Sequence, residues 1–179
     1  MELTRRYKGR EPGQSEYARR QQHRIRGRFP GYERRENDKA LTWLGGPHRI
    51  AAATADRLRR QIAGWPTPPA VLTPTHGDWQ PRNWLLDDDE VVRIIDFGRA
   101  AMRAPLTDFG RLAVQDFRRD ARLETAFLAG YGGDPRDDKA WYRSRVREAI
   151  GTAGWAYRVG DEQFEAQGLR MIADVLSGA

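Results

Sequence analysis

The composition of this 179-residue chain excludes several classes of protein. The length suits one domain with a real core, and 39% hydrophobic residues are too many for a chain without a fold. The sequence contains no run of 18 apolar residues and no apolar segment after Met1, so we expect neither a membrane span nor a secretory signal. Cysteine is absent, which excludes disulfides and Cys-ligated zinc and makes a cytoplasmic location the default expectation.

The formal net charge of +6 raises the question of an anionic partner such as nucleic acid. Lysine accounts for only three of the 31 basic residues, and the rest are arginine. Such a skew is more typical of codon composition than of a binding surface. The basic first sixty residues also lack the aromatic spacing of single-strand binders. We therefore do not expect nucleic-acid binding, and a basic nucleic-acid-binding protein is kept as a third hypothesis after the two given at the end of this subsection.

Helical patterns fill most of the chain, and β-prone segments are confined to its middle. After an irregular segment over 1–14, the sequence predicts helices over Ser15 to about Arg26, 33–44, Pro47 to about 63, 107–118, about 121–130, about 136–158 and about 161–176. Short strands are predicted over 70–73, 84–86 and 91–95, with the acidic run 87–90 as a solvated hairpin turn between the last two. The predicted fold class is mainly α with a small β-hairpin region (α+β), without the βαβ alternation of a Rossmann-like fold.

Two short motifs on either side of this hairpin contain the residues suited to chemistry. His76-Gly77-Asp78 is followed five residues after the aspartate by Asn83, and Asp96-Phe97-Gly98 begins thirteen residues beyond Asn83. Phosphoryl transfer depends on positioning and on neutralising phosphate charge. Mg²⁺ takes one or two oxygen ligands from protein, which Asn83 and Asp96 can supply. Asp78 is then free to accept a hydrogen bond from an attacking hydroxyl and to take its proton.

The spacing H-x-D-x-x-x-x-N followed by D-F-G is that of the catalytic and metal-binding loops of protein kinases. Because Gly77 replaces the arginine of those kinases, the stretch 76–99 resembles the aminoglycoside phosphotransferase and choline kinase family, which has a protein-kinase-like fold. Weaker similarity covers about 15–176. The resemblance implies that 15–179 is the helical C-terminal lobe of such a phosphotransferase, with the catalytic and metal loops at 75–99.

The resemblance also implies a role for each matching residue. Asp78 matches the catalytic base, Asn83 and Asp96 match the magnesium ligands, and Leu85 and Ile95 match the floor of the adenine pocket. The implied cofactors are Mg²⁺ and ATP (or GTP). The implied partner is a small polar molecule with a hydroxyl group, with cationic molecules among the candidates, and no membrane is expected.

Supporting roles are expected for two further residues. His76 is expected to pack and hydrogen-bond so that it holds its loop, and Asp108 to cap the following helix and tie down the metal loop. Acidic residues of the last helices can face a cationic substrate, but we expect them to be surface residues. They are Glu148, Asp161, Glu162 and Glu165.

The sequence lacks the N-terminal lobe that this family implies, since no glycine loop between strands and no strand lysine precedes residue 75. We expect the chain to be either a lobe of a longer protein or a reduced family member, and its exposed inter-lobe face to favour self-association. The first hypothesis is an active ATP-dependent phosphotransferase. The alternative is a non-catalytic remnant that acts as a binding module.

Overall fold

The computed structural model describes residues 28–88 and 91–178, and helices dominate this part of the chain. Its helices are α1 (Tyr32–Gly45), α2 (Ala52–Ala63), α3 (Phe109–Val114), α4 (Asp116–Arg119), α5 (Ala121–Tyr131), α6 (Asp138–Val159) and α7 (Glu162–Ser177). Its strands are β1 (Arg28–Phe29), β2 (Ala70–Val71), β3 (Thr73–Thr75), β4 (Trp84–Leu86), β5 (Val92–Ile94) and β6 (Ala101–Arg103). The predicted fold class is confirmed, while the segment 1–14 and the helix predicted from Ser15 lie outside the described residues.

The strands form three separate antiparallel pairs, β1 with β2, β3 with β6, and β4 with β5. The predicted hairpin is the β4–β5 pair, in which Leu85 lies opposite Arg93. The single strand predicted over 70–73 is wrong, because 70–71 pair with β1 whereas 73–75 pair with β6. Leu72, which is buried, marks the point at which the chain passes from one pair to the next.

The main core lies between α1, α2 and the long antiparallel pair α6 and α7. Its completely buried side chains pack against one another in a single cluster and include Leu44, Leu58, Val146 and Ile150. Burying a side chain of this size contributes about 1.5–3 kcal/mol, so this cluster is the principal source of stability. It supplies a rigid helical base beneath the loops that contain the two motifs.

Two of the predicted helices have different bounds in the structure. The helix predicted from Pro47 begins at Ala52, because the chain first buries Ile50 in a non-helical segment. The helix predicted over 107–118 is divided into a 3₁₀ turn (Pro105–Asp108), α3 and α4, with a break at Gln115. Asp161 caps the last helix, since its carboxylate accepts a hydrogen bond from the Phe164 N–H at 2.9 Å.

Within residues 28–88 and 91–178, no helix combines the length and the apolar character that crossing a bilayer requires.

Candidate active site

A chain of hydrogen bonds joins the two motifs at the base of the hairpin. The Ile95 N–H donates to the Asn83 carbonyl at 3.0 Å, and the His76 Nε2 lies 2.8 Å from the Ile95 carbonyl. Because a carbonyl only accepts, Nε2 must carry the proton, which leaves Nδ1 to accept the Asp78 N–H at 3.3 Å. His76 is also buried against the Phe97 ring. It thus connects the catalytic loop to the segment that contains Asp96, which agrees with the expected holding role.

Asp108 holds the same loop from the other side. Its two carboxylate oxygens accept the backbone N–H groups of His76 and Gly77, each at 2.8 Å. The side chain makes no capping bond to α3, so the expectation of a helix cap is wrong, and the loop that it ties down is the catalytic loop. The reason is geometric, because Asp108 closes a 3₁₀ turn and its carboxylate is turned away from the following helix toward β3.

Gly77 is required by the backbone of this loop. Its φ is +79°, in the left-handed region that side chains rarely adopt. A Cβ at this position would also lie 2.5 Å from Nη1 of Arg103 and inside hard contact with the Arg99 carbonyl. The Arg99 carbonyl and the Arg103 guanidinium therefore occupy the space that a side chain at position 77 would fill. This close packing places both arginines near Asp78.

Asp78 is 5% exposed, and both of its carboxylate oxygens are occupied. Oδ1 lies 3.0 Å from Nη1 of Arg111 and accepts a hydrogen bond from Gln80, and Oδ2 accepts from Nη2 of Arg82 at 2.9 Å. Burial alone raises the pKa of Asp78, but the Arg82 hydrogen bond and the charges of Arg111, Arg82 and Arg99 outweigh it and lower the pKa below its ordinary value. Asp78 is therefore ionised at neutral pH and able to accept a hydrogen bond.

Asn83 and Asp96 offer oxygen atoms of the kind that Mg²⁺ prefers. The buried Asn83 donates Nδ2 to the Asp78 carbonyl at 2.8 Å, so its amide oxygen is the atom left for a cation. Asp96 is exposed, and its carboxylate makes no hydrogen bond or ion pair with any other residue of 28–88 and 91–178. A Cβ on Gly98 would lie 3.3 Å from the Asp96 Oδ1, so glycine leaves room for a ligand there. These residues fit a magnesium ion.

The backbone at Asp96 is unusual. With φ 61° and ψ 63° it is the one residue other than glycine with a positive φ among the described positions. Such a conformation costs roughly 1–3 kcal/mol and persists where the surrounding structure fixes it, often at functional sites. The neighbouring Ile95, whose N–H and carbonyl are both hydrogen-bonded, supplies that constraint.

Leu85 and Ile95, the residues expected beneath the adenine, are 52% and 40% exposed. They are two of the large hydrophobic side chains that the β-rich segment leaves exposed. Its other exposed large hydrophobic side chains are Phe29, Val71, Leu86, Val91, Val92, Phe97 and Met102. An uncovered adenine floor has this character, and self-association through it stays a prediction.

A cleft of about 730 Å³ opens between the catalytic loop, α1, α3 and α6, and the neighbours of Asp78 in that loop, Gly77 and Trp79, line it. Its lining includes Arg82, Arg99, Arg103 and Arg111, which the sequence analysis did not single out. The signal for two of them was present, since Arg82 lies inside the first motif and Arg99 follows the second directly. The other two come close only through the folding of distant segments.

The four acidic residues of the last helices have three different placements. Glu148 and Asp161 line the cleft, whereas Glu162 is exposed as expected. Glu165 is buried and pairs with Arg49 at 2.9 Å, so its assignment to the surface is wrong. The pair fixes the start of α7 to the segment before α2, a contact between positions 116 residues apart that no local pattern reveals.

Comparisons with known proteins agree with the geometry. A sequence model of the phosphotransferase enzyme family matches residues 15–147. The search of curated proteins gives no match. The structure is similar to choline kinase LicA from Streptococcus pneumoniae, with 16% identity and a TM-score of 0.59 over 87% of this chain and 57% of that one.

Two further solved structures are similar to this fold. A thermostable mutant of aminoglycoside phosphotransferase APH(4)-Ia has 18% identity and a TM-score of 0.58 over 85% of this chain and 53% of its own. Macrolide 2'-phosphotransferase type I has 19% identity and a TM-score of 0.52 over 79% and 48%. The chain thus spans about half the length of these structures. From the match over 15–147, the chain belongs to the phosphotransferase enzyme family.

Proposed function

We propose that the chain is the catalytic lobe of a Mg·ATP-dependent phosphotransferase (with GTP as the other candidate donor) that transfers the γ-phosphoryl group to a hydroxyl of a small polar molecule. One observation carries the proposal. Hydrogen bonds join Asp78, Asn83 and the segment of Asp96, since Asn83 Nδ2 donates to the Asp78 carbonyl and the Ile95 N–H donates to the Asn83 carbonyl. The complex of LicA with AMP is a further similar structure, with 16% identity and a TM-score of 0.55, and it supports the binding of a nucleotide by this fold.

The chemistry assigns a separate task to each side chain. When bound, Mg²⁺ supplies positive charge that offsets the charge of the phosphate oxygens. The Asn83 amide oxygen and the Asp96 carboxylate would hold it, and Leu85 and Ile95 would lie beneath the adenine. Asp78 accepts a hydrogen bond from the acceptor hydroxyl and so aims its oxygen at the γ-phosphorus.

Proton transfer follows from the state of Asp78. As the bond from the hydroxyl oxygen to phosphorus forms and the bond to ADP breaks, the hydroxyl proton passes to the Asp78 carboxylate. The low pKa of Asp78 makes it a weak base, which suits a loose transition state in which the hydroxyl proton is transferred late.

The test uses Mg·ATP with the full chain and four variants. With nucleotide at 100 times its Kd, binding adds about 2.7 kcal/mol to the free energy of unfolding, which raises the Tm of a chain of this size by roughly 5–10 °C. We expect Asn83→Ala and Asp96→Asn to abolish this rise. Asp78→Asn should keep the rise but lower any phosphoryl transfer about 100-fold or more.

Asp88→Asn is the matched control, because Asp88 is an exposed carboxylate on the same hairpin and outside the proposed site. It should behave as the wild type. If Asp96→Asn kept the full response to Mg·ATP, the metal assignment would be wrong. No response in the wild type would favour the alternative, a non-catalytic remnant that acts as a binding module. The cytoplasmic location and the division into 1–14 and 15–179 stay predictions.

A further inference from the structure

We propose that the acceptor alcohol carries an anionic group, a carboxylate or a phosphate, and that the arginines beside Asp78 bind it. This inference rests on the proposed function, because it names the class of acceptor that the same site takes. It is carried by the charge and the hydrogen bonding of the cleft.

Four arginines from different parts of the chain meet at the Asp78 end of the cleft. Arg82 belongs to the catalytic loop, Arg99 follows the second motif, Arg103 ends β6 and Arg111 lies in α3. We call these four residues the arginine rim. Guanidinium groups bind carboxylates and phosphates through paired N–H donors, which makes arginine the usual residue for such anions.

The side chains that line the cleft include more cations than acids, and three of the cations pair with carboxylates just outside the lining, Arg82 and Arg111 with Asp78 and Arg147 with Glu33. Six cations and four acidic residues line it, with the two additional cations being Lys39 and Arg147. Three of the four acids already have partners. Glu36 is 2.6 Å from Lys39, Asp108 accepts two backbone N–H groups, and Asp161 caps α7.

Two members of the arginine rim form no ion pair with a carboxylate of the described residues, although the charge of Arg99 acts on Asp78. The Arg99 side chain is exposed and makes no hydrogen bond or ion pair within 28–88 and 91–178. Arg103 donates Nη1 only to neutral oxygens, the Thr75 hydroxyl at 3.1 Å and the Arg99 carbonyl at 3.0 Å. Both guanidinium groups are therefore available to an anion in the cleft.

Arg82 gives an anionic acceptor a second advantage. Oδ1 of Asp78 already accepts from Arg111 and Gln80, so an incoming hydroxyl binds at Oδ2, where Arg82 is the donor at 2.9 Å and Asn83 Nδ2 lies at 3.5 Å. Arg82 is the partner most able to leave, since its side chain is 64% exposed whereas that of Arg111 is 21% exposed. An anionic substituent can take over the Arg82 guanidinium and free Oδ2 for the hydroxyl, which a neutral or cationic alcohol cannot do.

Glu148 is the feature of the cleft that favours a cationic acceptor. It lies in α6 and lines the cleft beside α3, since a Cβ on Gly110 would lie 3.8 Å from its Cγ. It makes no hydrogen bond or ion pair with other residues of the described part of the chain. One unpaired acid is opposed by two guanidinium groups without a carboxylate, so the balance favours an anion.

The experiment compares three-carbon alcohols that differ in charge. Glycerol, glycerate, glycerol 3-phosphate and 3-aminopropane-1,2-diol are titrated into the full chain without nucleotide, and binding is followed by calorimetry at low and high salt. We expect glycerate and glycerol 3-phosphate to bind at least about tenfold tighter than the neutral and cationic alcohols, with an affinity that falls as salt increases. Equal binding of all four, or tightest binding of the amine, would overturn the proposal.

Variants and a competition locate the binding. Arg99→Gln should weaken the binding of glycerol 3-phosphate about tenfold, whereas Arg118→Gln, which removes an exposed charge that lies outside the cleft and pairs with Asp174, should not. Glu148→Gln should leave anion binding unchanged or improve it. Equal losses in Arg99→Gln and Arg118→Gln would mean nonspecific attraction and would contradict the proposal.

A competition experiment with Mg·ADP decides whether the arginine rim binds the acceptor or the nucleotide. If Mg·ADP displaces glycerol 3-phosphate, the arginine rim serves the donor and the proposal is wrong, whereas simultaneous binding supports it. If Mg·ADP does not bind at all, the proposed phosphotransferase function fails, but the preference among the four alcohols still decides whether the cleft selects anions.

Discussion

The role of Asp108 leads to a prediction that a single isosteric substitution can test. Its carboxylate accepts two backbone N–H groups, from His76 and Gly77, both at 2.8 Å. In Asp108→Asn the amide oxygen can accept only one of them, and the new NH₂ group faces the other N–H as donor against donor. A hydrogen bond to a charged group contributes about 1.5–3 kcal/mol, and the unpaired N–H adds a penalty. We expect the free energy of unfolding to fall by about 2 kcal/mol or more.

Urea denaturation of the full chain measures this loss directly, as a lower midpoint at an unchanged slope. The same loss should lower the Tm by roughly 4–8 °C for a chain of this length. Asp56→Asn is the control, because Asp56 forms an exposed ion pair with Arg59 that contributes at most about 1 kcal/mol. A midpoint for Asp108→Asn equal to that of the control would refute the account of how the catalytic loop is held.

Two more predictions concern packing and pH. Gly168→Ala should lower the free energy of unfolding by about 2 kcal/mol in urea denaturation, since a Cβ on Gly168 would lie 2.5 Å from the Ala153 backbone nitrogen. A Cβ on Gly151, in the same helix pair, would meet nothing closer than 4.0 Å, so Gly151→Ala should be neutral or stabilising. Equal effects of the two substitutions would contradict the α6–α7 contact. Arg82→Gln should raise the pKa of Asp78, measured by carboxyl NMR titration. The folded pKa of Asp78 is lowered, so its contribution to stability is present above the pKa of an unfolded aspartate and is lost as the pH falls through the folded pKa. The Arg82→Gln variant should therefore unfold at a higher pH on acidification than the wild type. An unchanged acid transition would count against the Asp78–Arg82 pair.

Much of the site was predictable because its residues are close in the sequence. Asp78 and Asn83 lie in one loop, and the hairpin that returns the chain to Asp96 is signalled by β-prone segments around an acidic turn. The helices α5, α6 and α7 follow their sequence patterns to within a few residues. Local chemistry and periodicity were sufficient for these features.

What the sequence did not predict depends on contacts between distant segments. Strand β6 exists because it pairs with β3, with Thr75 opposite Ala101, and neither segment alone has a strong strand pattern. The local sequence around Asp108 is typical of a helix cap, but its carboxylate instead accepts a hydrogen bond from the catalytic-loop N–H of Gly77, 31 residues earlier. The arginine rim likewise forms only when β6 and α3 fold against the loop, so its charge was invisible as a cluster in the sequence.

The central claim is that Asp78, Asn83 and Asp96 surround one metal-bound nucleotide. The most direct measurement replaces Mg²⁺ by paramagnetic Mn²⁺ with ATP and follows the NMR signals of the full chain. We expect the NMR signals of the Asn83 side-chain amide and of the backbone amides of Asp96 and Gly98 to broaden first. Asp96→Asn should remove this broadening, whereas Asp88→Asn should not. Broadening centred elsewhere, or unchanged by Asp96→Asn, would contradict the central claim.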